Sequence, residues 1–166
     1  VELGDGRPLQ AFHNPGHASL HIGLIDSQTG DLYTGDAAGV YVQQTAEVRP
    51  ATPPPDFDLD LTLASLHKMA QVGATRLLFS HYGPVTDVQD VLAESEAELQ
   101  YWVEGVRLAR STDPSPEHAI ALVKERDRQR HPTYYQQAAV LERFEALSSV
   151  AANVSGISRW LDQQER

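Results

Sequence analysis

The hydrophobic period of this chain changes once along its length, and that change constrains the fold more than any other feature. In residues 19–26, Leu20, Ile22 and Leu24 fall on one side and His21, Gly23 and Ile25 on the other, the two-residue period of a strand. Beyond residue 58, Leu59, Leu63, Leu66 and Ala70 recur at helical spacing instead. Strands therefore come early and helices late, which reads as an α+β chain.

Local signals place the elements. A strand at Leu9–His13 follows the turn Gly4-Asp5-Gly6, and Ser27-Gln28-Thr29-Gly30 separates residues 19–26 from a strand over 31–34 that ends in Gly35-Asp36. Residues 37–57 read mostly as loop, stiffened by Pro50 and Pro53-Pro54-Pro55. Asp58 is an N-cap signal, Gly73 a C-terminal stop, and residues 76–80 form a short apolar strand that delivers His81. From there on the pattern is helical. Asp87 precedes Val88, Leu92, Ser95, Leu99, Trp102 and Val106 on one face. Ser115-Pro116-Glu117 opens a helix to about Arg130, where Pro132 breaks it. Val140, Leu141, Phe144 and Leu147 mark a further helix, and Val154, Ile157, Trp160 and Leu161 a last one, with both tryptophans expected in helix packing. Two regions result: residues 1–87 carry the strands, and residues 88–166 form a helical extension.

A length of 166 residues with 41% apolar content suits a packed core. The net charge of −10 argues against a nucleic acid or an anionic membrane as partner. With no cysteine, disulfides, thiolate zinc sites and a cysteine nucleophile are excluded. No membrane-length apolar run and no signal segment are present, so a cytoplasmic location is expected. The acidic run Glu94, Glu96, Glu98 is expected to be a solvated face, and His67, His118 and His131 are expected in solvent.

Three short segments carry the chemistry. Asn14-Pro15-Gly16-His17 presents an imidazole on a tight turn. Leu32-Tyr33-Thr34-Gly35-Asp36 presents a carboxylate at a strand end, and Leu77-Leu78-Phe79-Ser80-His81-Tyr82-Gly83-Pro84 presents an imidazole at another. Strand ends combine a rigid base with open access, as a catalytic metal requires. Imidazole plus carboxylate suits zinc, iron or manganese. Taken singly, each residue reads as ordinary turn chemistry.

Together, in this order, Pro15-Gly16-His17, Tyr33-Thr34-Gly35-Asp36 and Ser80-His81-Tyr82-Gly83-Pro84 resemble the later metal motifs of the metallo-β-lactamase superfamily over roughly residues 1–90. The resemblance implies the C-terminal half of an αββα sandwich followed by an all-helical tail. It implies a site for two divalent ions, zinc first, with iron or manganese as alternatives. His17 would serve one ion, His81 the other, and Asp36 would bridge them. The implied activity is hydrolysis of an ester-like bond (thioester, lactone, phosphodiester or β-lactam) in a small-molecule substrate, with a metal-bridging hydroxide as nucleophile. His21 and Tyr82 are candidate substrate contacts.

The chain departs from that family in one large respect. The family's His-x-His-x-Asp-His motif is absent, for none of the seven histidines forms a His-x-His pair. The chain alone supplies two protein ligands per ion, whereas catalytic zinc normally has three, so it is expected to be inactive by itself. An N-terminal half, on the same protein or a separate chain, is the expected partner, and the opening at Val1 rather than Met is consistent with that. The helical tail is expected over the substrate mouth or in a homodimer contact. The rival expectation is a non-catalytic scaffold or assembly domain derived from the same fold.

Overall fold

A computed structural model describes residues 1–81 and 83–165. Its strands are β1 (Leu9–His13), β2 (Ile22–Asp26), β3 (Asp31–Gly35), β4 (Val40–Val42), β5 (Glu47–Arg49), β6 (Arg76–Phe79) and β7 (Gly83–Val85). Its helices are α1 (Leu59–Gln71), α2 (Val88–Thr112), α3 (Pro116–Arg130), α4 (Pro132–Gln136), α5 (Ala138–Leu147) and α6 (Val150–Gln164). The architecture is α+β, with the helices concentrated in the C-terminal region.

Local chemistry explains most boundaries. The Asp58 side chain accepts from the Leu61 N–H, 2.9 Å away, and starts α1. Gly73, at φ 72°, turns the chain just after that helix. Pro116 opens α3 at a position whose N–H needs no helical partner. The Ser149 hydroxyl accepts from the Ala152 N–H at 3.1 Å and caps α6.

The main sheet runs β1-β2-β3-β6-β7, antiparallel except for the β3–β6 pair. A parallel pair needs a crossover, and α1 supplies it. The consequence matters for the site, since β3 and β6 end at the same edge and deliver Asp36 and His81 side by side. One sheet face is covered, with Leu32, Leu77 and Phe79 packed against Leu66 and Met69 of α1 and Val88, Val91 and Leu92 of α2. The opposite face carries the row Ala11, Leu24, Tyr33, Leu78, Pro84 along the pairing register. Ile22 on that face is 54% exposed and Tyr33 39%.

A second core joins Leu99, Trp102 and Val106 of α2 to Val154, Ile157 and Trp160 of α6, with Ala119 and Val123 of α3. The buried tryptophans agree with the helical period that placed them. Helix α2 thus packs on the sheet with its first turns and on the helical tail with its later ones.

The segment 37–57 differs from the loop that sequence suggested. It contains the hairpin β4–β5, with Val40 paired to Arg49 and Val42 to Glu47. Strands of three residues are too short to show alternation. Burial holds this hairpin instead, because Val40 and Val42 pack with Tyr134 and Phe144, and Val48 joins the sheet core.

Candidate metal centre

His17 sits on a turn that α1 locks in place. Gly16 adopts φ 130°, and a Cβ there would lie 2.5 Å from the Thr62 backbone, so only glycine admits this approach. The Gly16 carbonyl also accepts from the Asp58 N–H at 2.9 Å. The His17 ring is then oriented by its own Nδ1, 2.9 Å from the Ala51 carbonyl oxygen. A carbonyl can only accept, so Nδ1 donates this bond, and in the neutral ring the lone pair then sits on Nε2.

That Nε2 faces Asp36, 3.9 Å from Oδ2, while His81 Nε2 lies 3.6 Å from Oδ1. The two imidazoles thus address different oxygens of one carboxylate. All three side chains are partly open, at 19%, 29% and 35% for His17, Asp36 and His81. Asp36 Oδ1 is buried and makes no protein hydrogen bond among the described residues.

His21 stands behind Asp36. The Asp36 backbone N–H donates to His21 Nε2 at 3.1 Å, and the ring meets His17 edge-on with centroids 5.8 Å apart. Burial, followed by the neighbouring His17, pulls the His21 pKa down against the opposing pull of Asp36. A neutral ring is what an acceptor nitrogen requires. Gly35, at φ 57°, leaves the space in which this ring sits, because a Cβ there would collide with it. Tyr82 lies outside the described residues.

The helical tail reaches this place. A cavity of about 90 Å³ is lined by His17, Asp36 and His81 on one side and by Ser148, Ala152 and Asn153 on the other, with Val40, Ala51, Pro53 and Leu147 completing it. Neither Ala51, which acts through its backbone, nor the tail residues carried any sequence signal for the site.

A second cluster corrects two expectations. His131 and Glu98 are not solvated, being 7% and 2% exposed. His131 Nε2 lies 2.9 Å from Glu98 Oε2, and Arg130 donates to Glu98 Oε1 at 2.5 Å. Glu98 is on the inward side of α2, where burial of a neighbouring helix, not helix periodicity alone, decides exposure. Among the described residues, Glu98, Asp127 and His131 offer three ligand atoms within 4.8 Å of one another, a spacing that could hold a metal ion. Arg49, Arg130 and the Tyr135 hydroxyl already occupy these carboxylates, so an ion there competes with fixed cations.

This pair makes stability depend on pH. Burial opposes charge on both groups, but their mutual hydrogen bond and attraction win, holding Glu98 below the usual glutamate range and His131 above the usual histidine value. The depressed Glu98 contributes stability that is lost as pH falls through its folded pKa. The raised His131 contributes stability that is complete below about pH 6.5 and lost as pH rises through its folded pKa. Urea unfolding from pH 5 to 9 should therefore show wild-type protein losing its advantage over His131→Gln as pH rises above about 6.5. A constant difference across that range would contradict the ion pair.

Comparison with known proteins agrees with the geometry. The family model described as metallo-beta-lactamase superfamily matches residues 1–81. A metallo-beta-lactamase family protein from Thermus thermophilus superposes over 96% of this chain and 46% of its own, with TM-score 0.62 and 20% identity. A beta-lactamase domain protein from Burkholderia ambifaria covers 76% of this chain and 37% of its own, with TM-score 0.57 and 24% identity. An archaeal metallo-beta-lactamase superfamily protein from Sulfolobus tokodaii covers 60% and 36%, with TM-score 0.51 and 28% identity. The chain spans less than half the length of each of these structures. No curated protein sequence matches it. No helix among the described residues is long and apolar enough to cross a membrane. Residues 1–81 thus match the metallo-beta-lactamase superfamily model, and the chain shares the fold of the metallo-beta-lactamase family protein from Thermus thermophilus.

Proposed function

We propose that this chain contributes one half of a dinuclear, metal-dependent hydrolase site that cleaves an ester-like bond in a small molecule. The observation that carries this reading is the position of His17 and His81 at opposite oxygens of Asp36, 3.9 and 3.6 Å away. A carboxylate so flanked suits two cations, one beside each imidazole.

The donor set fits divalent ions. Asp36 Oδ1 is buried without a hydrogen-bond donor among the described residues, a costly state unless a cation approaches. The His17 tautomer leaves Nε2 ready to ligate, and His21 fixes Asp36 through its backbone N–H. Ions held there would polarise the scissile bond and make water acidic enough to attack at neutral pH. His17, Asp36 and His81 hold and space the ions, His21 orients Asp36, and the cavity wall from the tail restricts what reaches them. A thioester, lactone, phosphodiester or β-lactam all present a bond of the required kind.

The site is half supplied here. Two protein ligands per ion fall short of the usual three, so the remainder come from polypeptide outside this chain. The exposed sheet face bearing Ile22 and Tyr33 supports a covering partner, since apolar sheet faces are normally packed.

Metal titration tests the reading. The full-length protein should bind two zinc ions per chain, and Asp36→Ala should lose both because both share its carboxylate. The 166-residue chain alone should bind zinc weakly. Undiminished two-ion binding by Asp36→Ala would overturn the shared-carboxylate arrangement. A zinc-loaded protein inert toward thioesters, lactones, phosphodiesters and β-lactams would overturn the hydrolase reading.

A further inference from the structure

We infer that Asn153, on the last helix of the tail, is a positioning residue for His17, acting through the Ala51–Thr52 peptide. The inference rests on His17 being a metal ligand, as proposed above, but its geometry stands on its own bonds.

Asn153 is 2% exposed. Its Oδ1 accepts from the Thr52 backbone N–H at 2.6 Å and from the Thr52 hydroxyl at 3.0 Å. That N–H belongs to the same peptide unit as the Ala51 carbonyl, and the Ala51 oxygen is the acceptor for His17 Nδ1 at 2.9 Å. The peptide is planar, so holding its N–H fixes the direction of its C=O. Asn153 therefore sets where the His17 ring can point, although it does not touch that ring through any of these bonds.

The amide is itself well anchored. Its Nδ2 donates to the Ser148 hydroxyl at 2.9 Å, the Ser149 carbonyl at 3.1 Å and the Ser148 carbonyl at 3.3 Å. The Thr52 hydroxyl adds a bond to the Asn153 carbonyl at 3.1 Å. Gly156, one turn further on, brings the α6 backbone against the next peptide, Thr52–Pro53, for a Cβ there would lie 2.9 Å from the Thr52 carbonyl carbon and closer still to its oxygen. One face of α6 is thus shaped to receive residues 51–53. Metal-ligating imidazoles held by an outer partner typically lose 10–100-fold in metal affinity when it is removed. Here the partner is a backbone carbonyl that a side chain cannot replace, so control passes to the residue that fixes the peptide.

The test uses full-length protein with three variants: Asn153→Leu, which removes the acceptor; Asn153→Asp, which keeps an oxygen toward Thr52; and Ser149→Ala, which weakens the start of α6 without touching Thr52. In the metal-free state, long-range ¹H–¹⁵N spectra of the histidine rings should show His17 as the Nδ1–H tautomer in wild type, Asn153→Asp and Ser149→Ala, and as a tautomer mixture in Asn153→Leu. Titration with zinc alone should show Asn153→Leu weakened by roughly 10–100-fold, with the other two close to wild type. An unchanged His17 tautomer in Asn153→Leu overturns the inference. So does an equal loss of zinc affinity in Ser149→Ala, which would make the effect one of helix stability. If wild type binds no zinc yet its His17 tautomer depends on Asn153, the positioning stands and the metal reading above fails.

Discussion

Replacing Arg49 with Met should lower the unfolding free energy by about 3–5 kcal/mol, the cost of leaving a buried partner charge uncompensated. Arg49 is 5% exposed and pairs with Asp127, which is 0% exposed. Burial draws the guanidinium pKa down, but the charge and hydrogen bond of Asp127 outweigh it and keep Arg49 ionised. The side chain lies over the rings of Tyr134 and Trp102, at 4.7 and 5.5 Å, so it is enclosed by aromatic surface and not by water. Tyr135 donates to the same Asp127 carboxylate at 2.6 Å, and Tyr134, raised to about 12 chiefly by burial, stays neutral beside it. The pair ties the β4–β5 hairpin to α3. The double variant Arg49→Met/Asp127→Leu should recover much of the loss, since buried ion pairs often exchange neutrally for apolar groups. Urea denaturation measures both. A single variant within about 1 kcal/mol of wild type would show that the pair is not isolated from solvent.

The second large effect is expected at Gly156. Glycine inside a helix ordinarily costs about 1 kcal/mol relative to alanine, so Gly156→Ala would stabilise α6 if propensity alone decided. The tertiary contact reverses the sign. A Cβ at this position meets the backbone of Thr52 and Pro53, which cannot rotate away as a side chain can. The helix or the loop must move, at a cost of about 3 kcal/mol. Gly105 in α2 is the control, because its Cβ would lie 3.3 Å from Val123 Cγ2 and Arg126 Nε, both of them side-chain atoms. Gly105→Ala should change stability by less than about 1 kcal/mol. Thermal unfolding of the two variants should place them on opposite sides of that gap; equal values would mean that α6 and the 51–53 loop are not packed as described.

Much of the fold was legible because its signals are local. The oxygen of Asp58 and the fixed φ of Pro116 act within one turn of their own position, so α1 and α3 began where the residues said they would. The alternation in 19–26 placed a strand there, although the pairing starts only at Ile22. The hairpin β4–β5 left no such trace. Val40, Val42 and Val48 are apolar for the sake of α2, α4 and α5, elements distant in sequence. The surroundings of Glu98 and His131 were equally hidden. A charged residue in an acidic run reads as solvated until a partner such as Arg130 is folded against it.

The candidate site divides in the same way. His17, Asp36 and His81 stand out as candidates because each belongs to a short motif in the order of the family they resemble, and sequence order is all a motif needs. The meeting of Asp36 with His81 depends on the parallel pairing of β3 with β6, which sets these two residues, 45 positions apart, at one edge. The roles of the Ala51 carbonyl and Asn153 depend on tertiary structure entirely. A backbone carbonyl carries no residue identity, and the Thr52–Asn153 bonds span 101 positions. The sequence by itself offered His17, Asp36 and His81 as candidate cation donors and placed most helix and strand starts, since those signals lie in neighbouring residues along the chain. Only folding decided which of those groups share a cavity, how the His17 ring is turned and which charges are buried, because these depend on the packing of segments that the chain does not place side by side.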